Sequence, residues 1–177
     1  CGYAVGGPLV GYRATRVVRR LSECAEAALE PLATKLDVNK DIYDKDFDMT
    51  IRLRGGVLSG YQMTGDPRLL AKSEDLGTRL LPVFDSPTGL PWVEVNLRTG
   101  KTRNSLTNPA ETGTLLLEFG TLAKLANKPV FYDKAKRALV ETFKRRSSIG
   151  LVGSAIDVQT GKWSDPDSHV SGGIDSY

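Results

Sequence analysis

The feature that most restricts this chain is an internal repeat. Gly89-Leu90 corresponds to Gly150-Leu151, Val95 to Ile156, and Thr99-Gly100-Lys101 to Thr160-Gly161-Lys162, each pair 61 positions apart, while Pro67 and Pro129 differ by 62. Each unit reads as a helix, a short turn containing Pro, a second helix and an extended loop. A helical pair that recurs at such a period buries its apolar faces against copies of itself, which gives a solenoid or a closed α/α toroid. About two and a half units are visible, so an incomplete ring is expected. The expected fold class is therefore all-α, with short β-hairpin loops between helical pairs.

The elements inside this frame follow from spacing. Leu21, Ala25, Ala28, Leu29, Leu32 and Leu36 fall on one helical face, with Ser22 as N-cap and Pro31 the one blemish. After an Asp- and Lys-rich loop, Phe47, Ile51, Leu53, Val57, Leu58 and Tyr61 mark a second helix. Gly55-Gly56 within it suggests close packing against a neighbour. Gly65-Asp66-Pro67 starts a third helix that runs to Pro82, with Pro67 in its first turn. Further helices are expected over Thr112 to Ala126 and from Pro129 through Phe143. The stretch Trp92 to Leu97 and its repeat around Ile156-Asp157-Val158 alternate as strands before their turns. At Asp175 another helix is expected to begin.

Composition narrows the function classes only slightly. A net charge of +3 over 177 residues does not argue for nucleic acid or an acidic partner. Arg13, Arg16, Arg19 and Arg20 read either as a phosphate-binding arm or as a solvated face; no aromatic platform is interleaved with them. Cys1 and Cys24 are too few for a disulfide scaffold or a thiolate metal site. No run approaches the roughly 18 apolar residues of a membrane span. Membrane association stays open, as does targeting, because the chain begins with Cys1.

An acidic residue lies near the start of the first helix of each unit: Asp48, Glu118 and Asp175. A toroid would bring those starts to one end of a central cavity. Arg52 follows Asp48 by four residues, on the same face, and can hold its carboxylate. Paired carboxylates flanking a sugar are the working parts of glycoside hydrolysis. The alternative is that acids at helix starts complement the helix dipole, worth about 0.3–1 kcal/mol each, and that Asp48 and Arg52 form an ordinary surface pair.

The run Asp46-Phe47-Asp48-Met49-Thr50-Ile51-Arg52-Leu53-Arg54-Gly55-Gly56-Val57-Leu58-Ser59 resembles the Phe-Glu-x-x-Ile-Arg-x-x-Gly-Gly-Leu-Leu-Ser motif of glycoside hydrolase family 47. Gly89-Leu90-Pro91, Leu117-Glu118-Phe119-Gly120-Thr121-Leu122 and Gly172-Gly173-Ile174-Asp175-Ser176-Tyr177 continue that family's order. The segment from Ile149 to Trp163 is similar to its ER degradation-enhancing mannosidase-like branch.

The resemblance covers residues 21–177, which corresponds to a partial catalytic domain of the (α/α)7-barrel type, and leaves 1–20 as a divergent N-terminal segment. It implies hydrolysis of α-1,2-linked mannose in high-mannose N-glycans with inversion, with Ca2+ as cofactor. Glycoproteins, misfolded ones included, become the expected partners, nucleic acid does not, and the endoplasmic reticulum lumen becomes the expected compartment. On this likeness Asp48 is the candidate general acid, Asp175 the candidate base, and Glu118 and Arg52 line the sugar site.

The family motif has Glu where Asp48 stands, which shortens the acid by about one bond length, a shift of the order that can cost 10²-fold in rate. No calcium ligand is identified in the sequence. A catalytically weak, lectin-like module that binds mannose-trimmed glycoproteins is the alternative function. A purely structural solenoid, with its acids scattered, is a third. His169 reads as a loop residue or a ligand, and Trp92 and Trp163 as sugar-stacking or packing groups.

Overall fold

A computed structural model describes residues 27–177. The basic stretch Arg13 to Arg20, the Ser22 cap and both cysteines lie outside the described residues. The chain divides at Leu36–Asp37 into two units. In the first, α1 is a helix over 27–35 that carries Pro31, within the span expected from Leu21 to Leu36.

The second unit holds the repeat. Strand β1 (Tyr43–Lys45) leads directly into a helical run made of α2 (Asp46–Asp48), a π-helical segment Met49–Arg54 and α3 (Gly55–Thr64). That run ends at Gly65, whose φ of +71° is the left-handed conformation that terminates helices and suits a residue without Cβ. Helix α4 (Pro67–Leu80) follows; Asp66 caps it by accepting from the Arg68 N–H at 2.9 Å, and Pro67 occupies its first turn. A short 3₁₀ turn, Leu81–Phe84, leads to β2 (Glu94–Asn96) and β3 (Thr102–Arg103).

The second copy runs β4 (Leu106–Thr107), α5 (Pro109–Gly113), α6 (Leu116–Ala126), α7 (Pro129–Lys144), β5 (Ala155–Asp157) and β6 (Trp163–Asp165). Two three-stranded antiparallel sheets result, ordered β1-β2-β3 and β4-β5-β6. The strand before each helical pair thus joins the hairpin after it, closing each pair at one end.

Three details differ from the sequence expectation. β1 and β4 arise in stretches without strand alternation, because their pairing is supplied by the distant hairpins. The helix expected over Thr112 to Ala126 is broken at Thr114–Leu115, where the terminal turn docks and Tyr177 packs on Gly113. Residues 172–176 form a turn where a helix was expected to begin.

The core lies between α4, α6 and α7. Phe84 meets Phe119 edge to face at 5.2 Å between centroids, and the Phe131 ring lies tilted 6.2 Å from Phe119. Gly77 on α4 lets these helices close up: a Cβ there would fall 2.5 Å from Leu122 Cδ2 and 3.3 Å from the Phe131 ring. Leu69, Leu76, Leu80 and Leu122 fill the remainder with no exposed surface to speak of.

Candidate active site

The helical run that begins at Asp46 carries two of the four expected site residues. Asp48 lies in its first turn, where the dipole favours an acid. Arg52 donates from Nε to Asp48 Oδ1 at 2.7 Å, and the side chains are 76% and 36% exposed respectively. The pair therefore faces outward, with the guanidinium fixing the direction of the carboxylate.

Glu118 lies in the first turn of α6. It comes against the same helical run: a Cβ built on Gly55 would be 3.7 Å from both Glu118 Cγ and Oε1, an ordinary van der Waals contact. Burial pushes the Glu118 carboxyl above the usual range, opposed by a backbone hydrogen bond and by Arg54.

Asp175 is exposed in the terminal turn. That turn is anchored on α5: the Ala110 N–H donates to Gly173 O at 2.8 Å, and Thr114 Oγ1 donates to Ser176 O at 3.1 Å. The fold thus brings Glu118 to the Asp48 helix, and it holds Asp175 through α5. Burial raises the Tyr177 hydroxyl above its ordinary pKa, and its Oη has no hydrogen-bond partner.

Two charged residues at the centre of this region drew no attention in the sequence. Asp46 and Arg54 are 2% and 0% exposed. The Arg54 guanidinium lies over the Phe119 ring, its Cζ 3.3 Å from the centroid. Burial pushes Asp46 up to about 7, partly opposed by Arg54 and by the Thr50 hydroxyl, which donates to Asp46 Oδ1 at 3.4 Å. Burial likewise lowers Arg54, opposed by Asp46 first and Glu118 second. The signal for both lay in the spacing: Asp46, Thr50 and Arg54 recur every four residues and run into buried Val57 and Leu58, so they occupy core positions.

The other expected contacts resolve as packing. Trp92 and Trp163 pack on the cluster Leu90, Ile156 and Val158, and Trp163 Nε1 donates to Arg145 O at 2.7 Å. His169 is exposed and shares a 2.7 Å hydrogen bond with the Ser171 hydroxyl. Family 47 is generally calcium-dependent. Among the described residues no three His, Cys, Asp or Glu side chains group so as to hold a metal ion, so those residues do not fit such an ion. Among them, too, no helix is long and apolar enough to cross a membrane.

Comparison with known proteins agrees with this architecture. The glycosyl hydrolase family 47 model matches residues 11–177. Alpha-mannosidase I MNS4 of Arabidopsis thaliana is 40% identical over 156 residues, covering 81% of this chain and 25% of that protein. The human ER degradation-enhancing alpha-mannosidase-like protein 2 is 38% identical over 172 residues, covering 86% and 29%. Among solved structures, the alpha-1,2-mannosidase from Trichoderma reesei superposes with a TM-score of 0.77 at 24% identity, covering 88% of this chain and 37% of that one. The fold is accordingly of the (α/α)7-barrel type, present in part. The chain spans between a quarter and a third of the length of these two curated relatives.

Proposed function

The chain belongs to glycosyl hydrolase family 47, and on that premise we propose that it is part of an α-mannosidase-like glycosidase that hydrolyses α-1,2-linked mannose of high-mannose N-glycans with inversion. In this reading residues 21–177 are part of the catalytic domain and 1–20 a divergent lead. Asp48 protonates the departing glycosidic oxygen, Asp175 takes a proton from the attacking water, and Glu118 and Arg52 hold the sugar. Inversion requires the two working carboxyls about 6.5–9.5 Å apart, with room for that water. The setting is glycoprotein quality control and ER-associated degradation in the endoplasmic reticulum lumen, with misfolded glycoproteins as the carriers of the glycan.

The observation that carries this reading is Asp48 itself: an accessible carboxylate in a helix's first turn, held by Arg52 at 2.7 Å, with Glu118 against the same helix beside Gly55. One observation favours a second reading, a lectin-like module that binds trimmed glycans with little turnover. Asp48 is one methylene shorter than the Glu of the family motif, and Arg52 already engages its carboxylate.

Substituting Asp48→Glu in the full-length protein separates the two. A weakened enzyme gains mannose release by about 10²-fold, with the product first seen as the β-anomer by NMR, because the acid then reaches the glycosidic oxygen. Glycan binding with no release by either form favours the lectin-like module and sinks the hydrolase reading.

A further inference from the structure

Asp48 is held by the Arg52 guanidinium, whereas Asp175 has no such partner: among the described residues its side chain takes part in no hydrogen bond or ion pair. What places this carboxylate is therefore the backbone that carries it, and that backbone is fastened within two residues on either side. Two positions before Asp175, Gly173 O accepts from the Ala110 N–H at 2.8 Å. One position after it, Ser176 meets Thr114, whose Oγ1 lies 3.1 Å from the serine carbonyl oxygen and 2.6 Å from the serine hydroxyl. Two positions after it, the Tyr177 ring lies on Gly113. The turn is also closed on itself, the Tyr177 N–H donating to Ile174 O at 3.2 Å.

All these anchors come from the stretch Ala110 to Thr114, where α5 ends. Gly113 is helical, so its backbone does not call for a glycine, and a glycine there costs helical stability. The space does call for one. A Cβ would stand 2.5 Å from Tyr177 Cδ2 and 3.2 Å from Leu139 Cδ1, and the first of these cannot be met without a shift of the ring. Thr114 spends its hydroxyl in the same direction, on Ser176 rather than on a carbonyl one turn back in its own helix.

We propose that Gly113 and Thr114 are positioning residues for Asp175: the end of α5 is a seat for the turn 173–177, and through that turn it sets where the Asp175 carboxylate stands against the attacking water. The proposal rests on the reading of Asp175 as the base. Displacing such a group by about 1 Å can cost 10²-fold in rate while substrate binding is untouched.

The test is mannose release from a free high-mannose oligosaccharide by the full-length protein, in the Asp48→Glu form if that is the more active, with and without azide. Azide attacks the anomeric carbon as the glycosidic bond breaks and the acid protonates the leaving oxygen, giving a β-mannosyl azide. It carries no proton for a base to remove, so it bypasses Asp175. Thr114→Val is expected to lower kcat about tenfold with KM within about twofold, and azide restores turnover as it does for Asp175→Ala. Thr114→Ser, which keeps the hydroxyl, stays within about threefold of wild type. Gly113→Ala loses about 10²-fold, again restored by azide. A raised KM with kcat unchanged overturns the proposal. So does a lost kcat that azide restores in Asp175→Ala but not in Thr114→Val, which marks the seat as structural only.

Thr114→Val is close to isosteric and carries the test alone should Gly113→Ala fail to fold. An Asp175→Ala form that keeps its kcat, or that azide does not restore, overturns the reading of Asp175 as the base and the proposal with it. That failure is distinguishable, because exchange of the Ala110 amide still reports on the seat: it rises by about tenfold in Thr114→Val if the turn has left α5.

Discussion

The two repeat units share one scaffold and differ in what lies at its centre. Their hairpins match residue for residue: Gly100 and Gly161 take φ of +71° and +67°, and their amides donate to Asn96 O and Asp157 O. The Leu97 and Val158 amides reach back to Ile42 O and Ser105 O, 61 positions apart on one side and 63 on the other. The first helices do not match. Unit one runs through a π-helical segment and buries Asp46 and Arg54; unit two breaks at Thr114–Leu115 and buries Leu115, Phe119 and Leu122. Repetition supplies the frame, and departures from it supply the charged chemistry. A π-helical turn holds an extra residue and commonly accompanies functional positions.

The sharpest way to break the comparison is Phe119→Ala. Phe119 belongs to unit two, yet it stacks on Arg54 of unit one and touches Phe84 and Phe131. Removing the ring leaves a cavity and strips the buried cation of its face, an expected loss of about 3–5 kcal/mol in denaturant unfolding. Amide exchange should accelerate in both units. Loss of protection confined to unit two would show that the charged centre is not held by its neighbour.

A second test uses Asp46, a fully buried carboxyl with no equally buried acid among the described residues of unit two. Asp46 is held near 7 when folded, above an unfolded value of about 3.9. The native state therefore binds the extra proton between these values. The stability this contributes is complete below about pH 4 and is lost as pH rises through about 7, by at most about 4 kcal/mol. Glu118, also raised, acts in the same direction. Asp46→Asn keeps the shape without the charge, so most of the decline between pH 4 and 8 should disappear. An unchanged slope in that variant would mean that Asp46 is not the group responsible.

How far the sequence revealed this follows from what each feature depends on. The helical pairs, the Asp66-Pro67 start and both hairpin turns rest on local chemistry, and all were legible. β1 and β4 were not, because two or three residues become a strand only when a hairpin some fifty positions away pairs with them. The Asp48–Arg52 pair was legible as a four-residue spacing within one helix. The Asp46–Arg54–Glu118 group was not, since it requires knowing that α6 lies against the Asp46 helix and that a four-residue stripe of polar residues faces inward.

The smallest effect expected is also the most specific to the repeat. In hairpin one the Asn96 Oδ1 accepts from the Arg98 and Thr99 amides at 3.0 and 2.9 Å; in hairpin two the Asp157 Oδ1 does the same for Gln159 and Thr160 at 3.1 and 2.8 Å. The geometry is common to both, but only the second acceptor titrates. The Ser105 hydroxyl first, and then the Thr160 amide, hold Asp157 below the usual carboxylate range. Its contribution is present above about pH 4 and is lost as pH falls through the folded value, opposite in sign to Asp46. Because the carboxylate is only partly buried, the effect is small. Acidification should speed exchange at Thr160 and Gly161 by about threefold more than at Thr99 and Gly100, once intrinsic rates are divided out. Asp157→Asn should equalise the two turns. If the difference persists in that variant, the repeat's asymmetry in acid lies elsewhere than in its turns.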